Sequence, residues 1–229
     1  MLDIVQRYAP VVNEILKDPP KDKQILEIGG TGEGLGWYLP NYQIIDCDLE
    51  FVDKILPNTK PVKASGEKIP LPDNSAEIVV SVDTLEHLPT KKKQAKMIKE
   101  MLRVARKKVF LGVPTGEKSW QTVKEFAKMF YHKHPGQYYQ YLEEHLEYGH
   151  PTKKEIISMI SNSGYQTTIR TKNNTNNRLW LVYQKIFLEI PRLYHILRYR
   201  RFWYLILRPV FPFFNFGFTM RTIFFVEKV

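Results

Sequence analysis

The chain has only one cysteine, so no disulfide can form within it. Cys47 lies in a predicted strand, where we expect it to be buried as a small apolar residue. With 229 residues, of which 43% are hydrophobic and 25% are charged, the chain can bury one substantial core without cross-links. These values predict a single folded domain over residues 1–229.

The chain also lacks a long apolar run. Residues 203–218 are interrupted by Arg208, Pro209 and Pro212, and the segment is shorter than the roughly 20 apolar residues of a membrane-spanning helix. The first five residues have no basic region before an apolar stretch, which argues against a signal peptide. We therefore predict a cytoplasmic protein, and we keep association with the inner face of a membrane as an alternative.

A glycine-rich turn follows the first predicted strand, but it lacks the third glycine of a dinucleotide-binding fingerprint. Residues 25–34 read ILEIGGTGEG, an apolar run that ends in glycines. Glycine permits positive φ and lets a ligand approach backbone N–H groups. Counted from Gly30 or Gly32, however, the G-x-G-x-x-G spacing places Leu35 or Trp37 at the third position. The turn is therefore a weak match to a dinucleotide site.

Carboxylates near this turn favour a ligand without phosphate. Glu27, at the end of the first strand, would repel a pyrophosphate but suits a cationic ligand. About twenty residues later, the apolar residues 42–45 run into Asp46 and Asp48, where a carboxylate would meet a ribose diol. S-adenosylmethionine has an ammonium, a sulfonium, a carboxylate and a ribose, and it has no phosphate. These residues therefore favour S-adenosylmethionine over a dinucleotide.

Four further segments follow in order. They are residues 64–75 (ASGEKIPLPDNS), the apolar strand 76–82, residues 83–88 (DTLEHL) and the apolar strand 107–114. With this series, residues 24–115 closely resemble the class I S-adenosylmethionine-dependent methyltransferases, in particular the type 11 group. The resemblance implies an α/β, Rossmann-like fold with a seven-stranded, mostly parallel sheet and helices on both faces. It also implies a cofactor at the carboxyl ends of the first strands.

Hydrophobic periodicity predicts the elements of this fold. A helical segment over residues 2–18 is expected to be interrupted at Pro10, and the best helix covers about 90–105. Residues 173–177 are predicted to be a polar loop. The predicted strands lie near 24–28, 43–47, 61–64, 76–82 and 108–113, with a sixth that ends near Thr171 and a last one at 218–227.

The resemblance also implies which residues bind the cofactor. The first loop, with Glu27 and Gly29, is offset by one residue from the common pattern of the family. Asp48 is expected to hold the ribose hydroxyls, with Asp46 as the alternative, and Ser65 stands where many relatives have an aspartate that faces the adenine amine. The implied cofactor-binding residues are Glu27, Gly29, Gly30, Gly32, Asp48, Ser65, Gly66, Glu67 and Ser81.

His87, just beyond the fourth predicted strand, is the candidate catalytic residue. Methyl transfer is an in-line displacement, so the enzyme mainly aligns the reactants and removes a proton if the acceptor is a hydroxyl. We expect His87 to serve as that base or to position the acceptor. The predicted cofactor is S-adenosylmethionine, and no residue is assigned as a metal ligand.

A divalent metal is kept as an alternative. Asp83, Glu86 and His87 place two carboxylates and an imidazole in one turn, and His145 or His150 is available downstream. Such oxygen and nitrogen ligands suit Mg²⁺, Mn²⁺ or Zn²⁺. The spacing resembles the metal-binding E-x-x-E-H of small-RNA and quinone-precursor methyltransferases, with aspartate in place of the first glutamate.

The remaining segments are predicted to surround the acceptor. A cofactor-binding core at about 22–115 precedes an aromatic, histidine-rich acceptor or lid region at about 116–150. A helical insertion at about 172–217 then separates the last two strands. Residues 178–208 of this insertion have seven Arg or Lys residues against one Glu, a formal +6 of the chain's +10.

This basic and aromatic insertion has three interpretations. Its rings and arginines, within residues 178–216, suit the headgroup region of an anionic membrane surface. A helical lid is the second interpretation, and its apolar face on the sheet would include Ile186, Ile190, Leu193 and Leu197. Nucleic-acid binding is disfavoured because no separate RNA-binding motif is present.

The predicted function is transfer of a methyl group from S-adenosylmethionine to an oxygen or carbon of a small-molecule, glycan or lipid-linked acceptor. One alternative is a quinone-precursor-type ring methyltransferase at the membrane surface. Another is a non-catalytic protein that retains the fold and docks to membrane or RNA. Glu27, the glycine turn and Asp48 favour a working cofactor site, because a scaffold would not need that charge pattern.

Overall fold

The computed structural model describes residues 2–190 and 200–229. Seven strands form one sheet, and helices pack on both of its faces. The strands are β1 (Gln24–Ile28), β2 (Gln43–Asp48), β3 (Thr59–Lys63), β4 (Ala76–Val82), β5 (Ala105–Pro114), β6 (Thr167–Asn176) and β7 (Thr219–Lys228). The helices within the described ranges are α1 (Leu2–Lys17), α2 (Lys91–Val104), α3 (Gly116–Lys133), α4 (Gln140–Tyr148), α5 (Lys153–Ser161), α6 (Asn177–Glu189) and α7 (Arg200–Leu207).

The strand order is β3-β2-β1-β4-β5-β7-β6, and of these strands β7 runs antiparallel to its neighbours. This arrangement confirms the predicted seven-stranded, mostly parallel, Rossmann-like sheet. The chain places β2 and β3 on one side of β1 and places β4 on the other, so the direction of winding reverses between β1 and β4. In sheets of this kind, ligands bind at the carboxyl ends of the strands beside that reversal.

The central strands are covered on both sides. Every residue of β4 is buried, and its sequence is apolar apart from Glu77 and Ser81, as expected where helices cover both faces of a parallel sheet. One face packs against α2 through Met97 and Met101, and the other packs against α1 through Ile15. These two layers fix the position of the strand ends at which a ligand would bind.

Helix α1 runs through Pro10 without the predicted interruption. Proline has no N–H to bond the carbonyl four residues earlier, which is that of Gln6. The Gln6 carbonyl instead accepts a hydrogen bond from Asn174 Nδ2 of β6 at 3.1 Å. The buried Asn174 side chain therefore replaces the missing helical bond, and the helix continues.

The predicted polar loop at 173–177 is wrong, because β6 extends to Asn176. The side chain of Asn176 accepts hydrogen bonds from Arg178 N and Leu179 N and so caps α6. These asparagines are therefore structural, although their composition is typical of a loop. The segment between the last two strands covers 177–218 and begins later than predicted.

The helices of this segment pack on two parts of the domain. Trp180 of α6 contacts Phe126 of α3, with ring centroids 5.7 Å apart. Tyr204 of α7 is buried and donates a hydrogen bond to Asn13 of α1 at 2.7 Å. None of the described helices is long and apolar enough to cross a membrane.

The apolar face predicted for a lid is exposed where the structure describes it. Ile186 and Ile190 both lie at the surface, so they do not pack on the sheet. Leu193 and Leu197, which were assigned to the same face, lie outside the described residues. The described part of this face is therefore open to solvent.

Candidate active site

A cavity of about 690 Å³ opens at the carboxyl ends of β1, β2 and β4. Its volume is within the usual range of small-molecule sites. The predicted site residues that line it are Gly29, Gly30, Asp48, Ser65, Gly66 and His87. Four other predicted residues, Glu27, Gly32, Glu67 and Ser81, are not part of its lining.

Glu27 is buried beneath the glycine turn and shapes it. Its carboxylate accepts hydrogen bonds from the Tyr8 hydroxyl at 3.0 Å and from Leu35 N at 2.8 Å. A Cβ on Gly34 would lie 2.1 Å from Glu27 Oε1, so the carboxylate occupies the space that a larger residue would need. Burial, together with the nearby charge of Asp46, raises the pKa of Glu27 to about 8. Glu27 therefore supports the turn from inside.

Asp46 holds the same turn from the neighbouring strand. Its two carboxylate oxygens accept hydrogen bonds from Gly30 N at 3.1 Å and from Gly32 N at 2.6 Å. Burial raises the pKa of Asp46 to about 6, although the two glycine N–H groups oppose that shift. Because Asp46 is buried and both of its oxygens are engaged, it is poorly placed to bind a ribose.

Asp48 is placed differently, at the wall of the cavity. Its Oδ2 accepts a hydrogen bond from Thr31 N at 3.0 Å, and its Oδ1 accepts one from Leu49 N at 2.6 Å. These bonds orient the carboxylate at the end of β2, and the side chain remains partly exposed. Oδ1 also accepts a longer bond from Glu50 N at 3.4 Å, whereas Oδ2 keeps lone-pair capacity for a diol. The geometry therefore favours Asp48 over Asp46 as the ribose ligand.

Most N–H groups of the glycine turn are already engaged. A phosphate-binding turn leaves such groups to its ligand. Here Asp46 and Asp48 place carboxyl oxygens on these groups, where a phosphate would need free donors, and this disfavours an anionic ligand. This arrangement supports S-adenosylmethionine over a dinucleotide. The N–H groups of Gly30 and Gly32 donate to Asp46, that of Thr31 to Asp48, that of Glu33 to the Gly30 carbonyl, and that of Leu35 to Glu27.

Two glycines in the cavity wall are closely surrounded. A Cβ on Gly29, whose φ is +84°, would lie 2.1 Å from Thr84 Oγ1. A Cβ on Gly66 would lie 3.0 Å from Ile28 Cγ2, so Ile28 would have to shift slightly, and the glycine backbone itself forms this part of the wall. A backbone wall, a strand-end carboxylate and an acidic turn fit the adenine, the ribose and the cationic groups of S-adenosylmethionine.

A buried ion-pair network connects the cavity with the first helix and the last strand. Arg221 of β7 donates through Nε to Asp83 at 2.7 Å and through Nη1 to Asp3 at 2.6 Å. Arg7 Nη1 donates to the same Asp83 carboxylate at 2.9 Å. Burial alone would raise the pKa of Asp83, but Arg221 and Arg7 outweigh it and hold that pKa well below its usual range. Asp83 is therefore an ion-pair partner, which disfavours it as a metal ligand.

His87 lies at the cavity wall, on the 3₁₀ turn Leu85–His87. Its Nδ1 is 2.7 Å from Glu144 Oε2, and its ring centroid is 5.3 Å from that of Tyr141. Burial lowers the pKa of His87, although Glu144 opposes that shift. A neutral His87 that donates its Nδ1–H to Glu144 has a lone pair at Nε2.

Two further histidines follow His87 along one wall. The ring centroids of His87 and His145 are 4.9 Å apart. His145 Nδ1 lies 2.8 Å from His150 Nε2, and His150 Nδ1 lies 2.6 Å from Ser119 Oγ. Burial lowers the pKa of His145 to about 2 and the pKa of His150 to about 3. All three imidazoles are therefore neutral at neutral pH.

Several lining residues come from segments without a recognisable motif. Arg7 and Tyr8 lie on α1, and Arg221 lies on β7. Arg200 of α7 donates to the side chain and the carbonyl of Glu33, in both cases at 3.0 Å, and so connects the insertion with the glycine turn. The sequence has one signal for the aromatic lining residues beyond residue 116, namely that aromatic residues are dense in that part of the chain. The aromatic lining consists of Tyr8, Phe126, Tyr139, Tyr141, Trp180 and Phe187.

Comparison with known proteins agrees with this geometry. Residues 26–112 match a family described as a methyltransferase domain. No protein of curated function matches the chain.

Three solved structures illustrate the shared fold. Magnesium protoporphyrin IX methyltransferase from Synechocystis PCC 6803, with bound S-adenosylhomocysteine, is 12% identical with a TM-score of 0.59, over 100% of this chain and 84% of that one. A phosphoethanolamine N-methyltransferase from Haemonchus contortus is 16% identical with a TM-score of 0.58, over 96% of this chain and 52% of that one. An S-adenosylmethionine-dependent methyltransferase from Methanosarcina mazei is 15% identical with a TM-score of 0.51, over 93% of this chain and 96% of that one.

Residues 26–112 match a methyltransferase domain of the type 11 group, and the solved neighbours show the fold of class I S-adenosylmethionine-dependent methyltransferases. The predicted resemblance, the predicted enzyme class and S-adenosylmethionine as the predicted cofactor are confirmed.

Proposed function

We propose that the protein transfers the methyl group to an oxygen or carbon of a small-molecule, glycan or lipid-linked acceptor, with His87 as the catalytic residue. The hydrogen bond of 2.7 Å between His87 Nδ1 and Glu144 Oε2 carries this proposal. It orients the ring at the cavity wall and leaves Nε2 without a hydrogen-bond partner in the described part of the chain. A neutral imidazole held in this way accepts a hydroxyl proton or orients the acceptor.

When bound, S-adenosylmethionine supplies an electrophilic methyl carbon; the acceptor atom bonds to it as the carbon–sulfur bond breaks, and that electron pair stays on sulfur. The protein aligns the reactants and excludes water. Tyr139, Tyr141 and Trp180 enclose the acceptor side with apolar rings. A proton released by the acceptor passes to His87 Nε2, and Glu144 stabilises the resulting imidazolium.

The predicted cofactor residues fall into two groups. Those in the lining contact the ligand: Asp48, Ser65 and Gly66 at the nucleoside, Gly29 and Gly30 at the methionine part. The others act from behind the wall, as Ser81 does when its Oγ donates to the Ile28 carbonyl at 3.0 Å. This second group consists of Glu27, Gly32, Glu67 and Ser81.

Small acceptors are consistent with two solved neighbours. One is named for magnesium protoporphyrin IX, and another was solved with phosphomonomethylethanolamine. The aromatic side of the cavity in this protein suits a small organic acceptor.

Calorimetric titration with S-adenosylmethionine tests the cofactor site. Asp48→Asn is expected to lower the affinity about tenfold or more, because a hydrogen bond to a charged group contributes about 1.5–3 kcal/mol. Asp53→Asn is the matched control, since Asp53 is exposed and is not part of the cavity lining. Equal affinities of the two variants for S-adenosylmethionine would show that Asp48 does not bind the cofactor.

Transfer of a labelled methyl group to soluble metabolites, soluble glycans and lipid extracts tests the acceptor class. His87→Ala is expected to lower kcat about a hundredfold or more, with cofactor affinity retained. His132→Ala, which changes an exposed histidine, is expected to behave like wild type. Label that enters the lipid extract alone would restrict the acceptor to a lipid-linked or quinone-precursor compound. Cofactor binding without transfer to any fraction would favour the non-catalytic alternative.

The insertion favours an additional contact with an anionic membrane surface. Exposed Arg201 and Arg208 lie on and just after α7. Apolar side chains beside guanidinium groups suit a lipid surface with anionic headgroups. The exposed apolar side chains of the same segment are Phe202, Leu205, Ile206, Val210, Phe213, Phe216 and Phe218.

Sedimentation with anionic vesicles at low salt tests this contact. Neutralising Arg201 and Arg208 together by substitution with Gln is expected to reduce the sedimented fraction. Arg200 is unsuitable for this purpose, because it is bound to Glu33. Arg170→Gln is the control, since Arg170 is an exposed arginine on β6. Wild type that remains in solution with every vesicle would exclude the membrane contact.

A further inference from the structure

Three side chains meet at the acceptor side of the cavity, and we propose that they bind one divalent transition-metal ion, with Zn²⁺ as the reference case. They are Glu86, His87 and His145, and one ligand atom of each lies within 4.8 Å of the others. Glu86 and His87 belong to the turn after β4, whereas His145 belongs to α4. The site therefore joins two distant segments of the chain.

Glu86 is the first observation that carries the proposal. Its side chain is fully buried, and neither carboxylate oxygen has a hydrogen-bond partner among the residues that the structure describes. A buried carboxylate is normally paired, because removing a charge from water is strongly unfavourable. Arg7 and Arg221 pair with Asp83, three residues earlier, and do not bond Glu86. A bound cation would provide the missing partner.

The hydrogen bonds of the histidine chain are compatible with a free Nε2 on His145. When Ser119 donates its hydroxyl to Met220 Sδ, 3.6 Å away, Ser119 Oγ accepts from His150 Nδ1. The proton on Nδ1 then leaves His150 Nε2 as an acceptor for His145 Nδ1–H. In this tautomer His145 has a lone pair at Nε2, the nitrogen that a metal would bind.

His87 is arranged in the same way. Its Nδ1–H donates to Glu144, and its Nε2 lies 3.9 Å from Glu86 Oε1. Metal-binding histidines usually donate their second nitrogen to an acceptor, which sets the tautomer and the ring orientation. Both histidines show that arrangement, with Glu144 and His150 as the acceptors.

The ligand atoms indicate the class of ion. Two imidazoles and one carboxylate suit zinc and neighbouring transition metals, whereas Mg²⁺ and Ca²⁺ prefer oxygen ligands. A tetrahedral ion with ligands about 2.1 Å away holds them about 3.4 Å apart, so the three side chains must move closer on binding. Three protein ligands leave a fourth position, and all three residues line the cavity. A metal ion here would therefore be accessible to an acceptor.

One consequence rests on the proposed function. An acceptor hydroxyl in the fourth position would lose its proton more readily, and His87 would then act on the acceptor through the ion. Ion binding itself does not depend on methyl transfer. It can therefore be measured without cofactor or acceptor, which separates the two proposals.

Calorimetric titration of the chelator-treated protein with Zn²⁺ tests the site. Wild type is expected to bind one ion, and Glu86→Gln and His145→Gln are each expected to weaken binding at least about tenfold. His132→Gln is the control for surface histidines and is expected to bind like wild type. No binding by wild type, or undiminished binding by either ligand variant, overturns the proposal.

A spectrum of wild type with Co²⁺ keeps the test decisive if a variant does not fold. A site with three protein ligands is expected to give the intense visible absorption of low coordination number, and Zn²⁺ is expected to displace it. A Co²⁺ spectrum identical with that of Co²⁺ in buffer alone overturns the proposal. Methyl transfer that is lost while Zn²⁺ binding is intact would count against the proposed function alone.

Discussion

The cofactor side and the acceptor side of the cavity differ in how their buried carboxylates are satisfied. On the cofactor side, Glu27 and Asp46 accept hydrogen bonds from backbone N–H groups of the glycine turn. On the acceptor side, Glu86 is equally buried and has no such partner among the described residues. A carboxylate bonded by the backbone belongs to the scaffold, whereas one without a partner is available to a ligand.

The largest effect is expected at the ion-pair network between the two sides. Arg221→Met should lower the free energy of unfolding by about 3–5 kcal/mol, because the buried Asp3 would lose its partner and Asp83 would keep Arg7 alone. Chemical denaturation measures the change. Arg170→Met is the control, since its ion pair is exposed and contributes at most about 1 kcal/mol. Equal losses of unfolding free energy in Arg221→Met and Arg170→Met would show that burial does not make the network more important for stability than an exposed ion pair.

The next largest loss of stability is expected on the cofactor side, where Gly34 lies directly against the Glu27 carboxyl group. Gly34→Ala should lower the free energy of unfolding by about 1–3 kcal/mol and weaken S-adenosylmethionine binding, because the new Cβ would displace Glu27 and the turn. Thermal unfolding and calorimetry measure the two effects. Gly164→Ala adds a Cβ in open space, at a positive φ, so it should affect stability only. A normal cofactor affinity in Gly34→Ala would contradict this account of the turn.

The burial of Glu27 has a pH dependence. Burial raises its pKa in the folded protein to about 8, above the ordinary value of 4.5. Such a group stabilises the fold below the unfolded pKa, and this stability is lost as the pH rises through the folded pKa. Stability should therefore fall between pH 4.5 and 8, by more than the roughly 1.4 kcal/mol of one pKa unit. Denaturation of Glu27→Gln across this range should show a smaller fall; an unchanged profile would argue against the raised pKa.

The smallest effect is expected on the acceptor side. Glu86→Gln in chelator-treated protein should not lower the free energy of unfolding, because no hydrogen bond is lost and an unpaired buried carboxyl group is removed. Tyr8→Phe, which removes one hydrogen bond to Glu27, should lower it by about 1 kcal/mol. Chemical denaturation compares the two variants. A larger loss for Glu86→Gln would mean that Glu86 has a structural partner after all.

Much of the fold could be predicted because its signals are local. Apolar runs and glycines act within a few residues of the chain, so β1 and β4 were predicted with the bounds that the structure shows. Asp48 was preferred to Asp46 because of the family resemblance, and the cavity lining includes Asp48 but not Asp46. Pro10 and the asparagines near 174 were misinterpreted, because a distant side chain, that of Asn174, satisfies the helix at Pro10.

The amino-acid sequence was sufficient to indicate the sheet, the glycine turn with its carboxylates, and S-adenosylmethionine as the cofactor, since all of these depend on short-range patterns. The tertiary structure alone brings Glu144 to His87, His145 to Glu86 and Arg221 to Asp83. These contacts depend on the packing of α4 and β7 beside the carboxyl ends of the strands. No local periodicity specifies that packing, because it follows from burial of apolar surface over the whole domain.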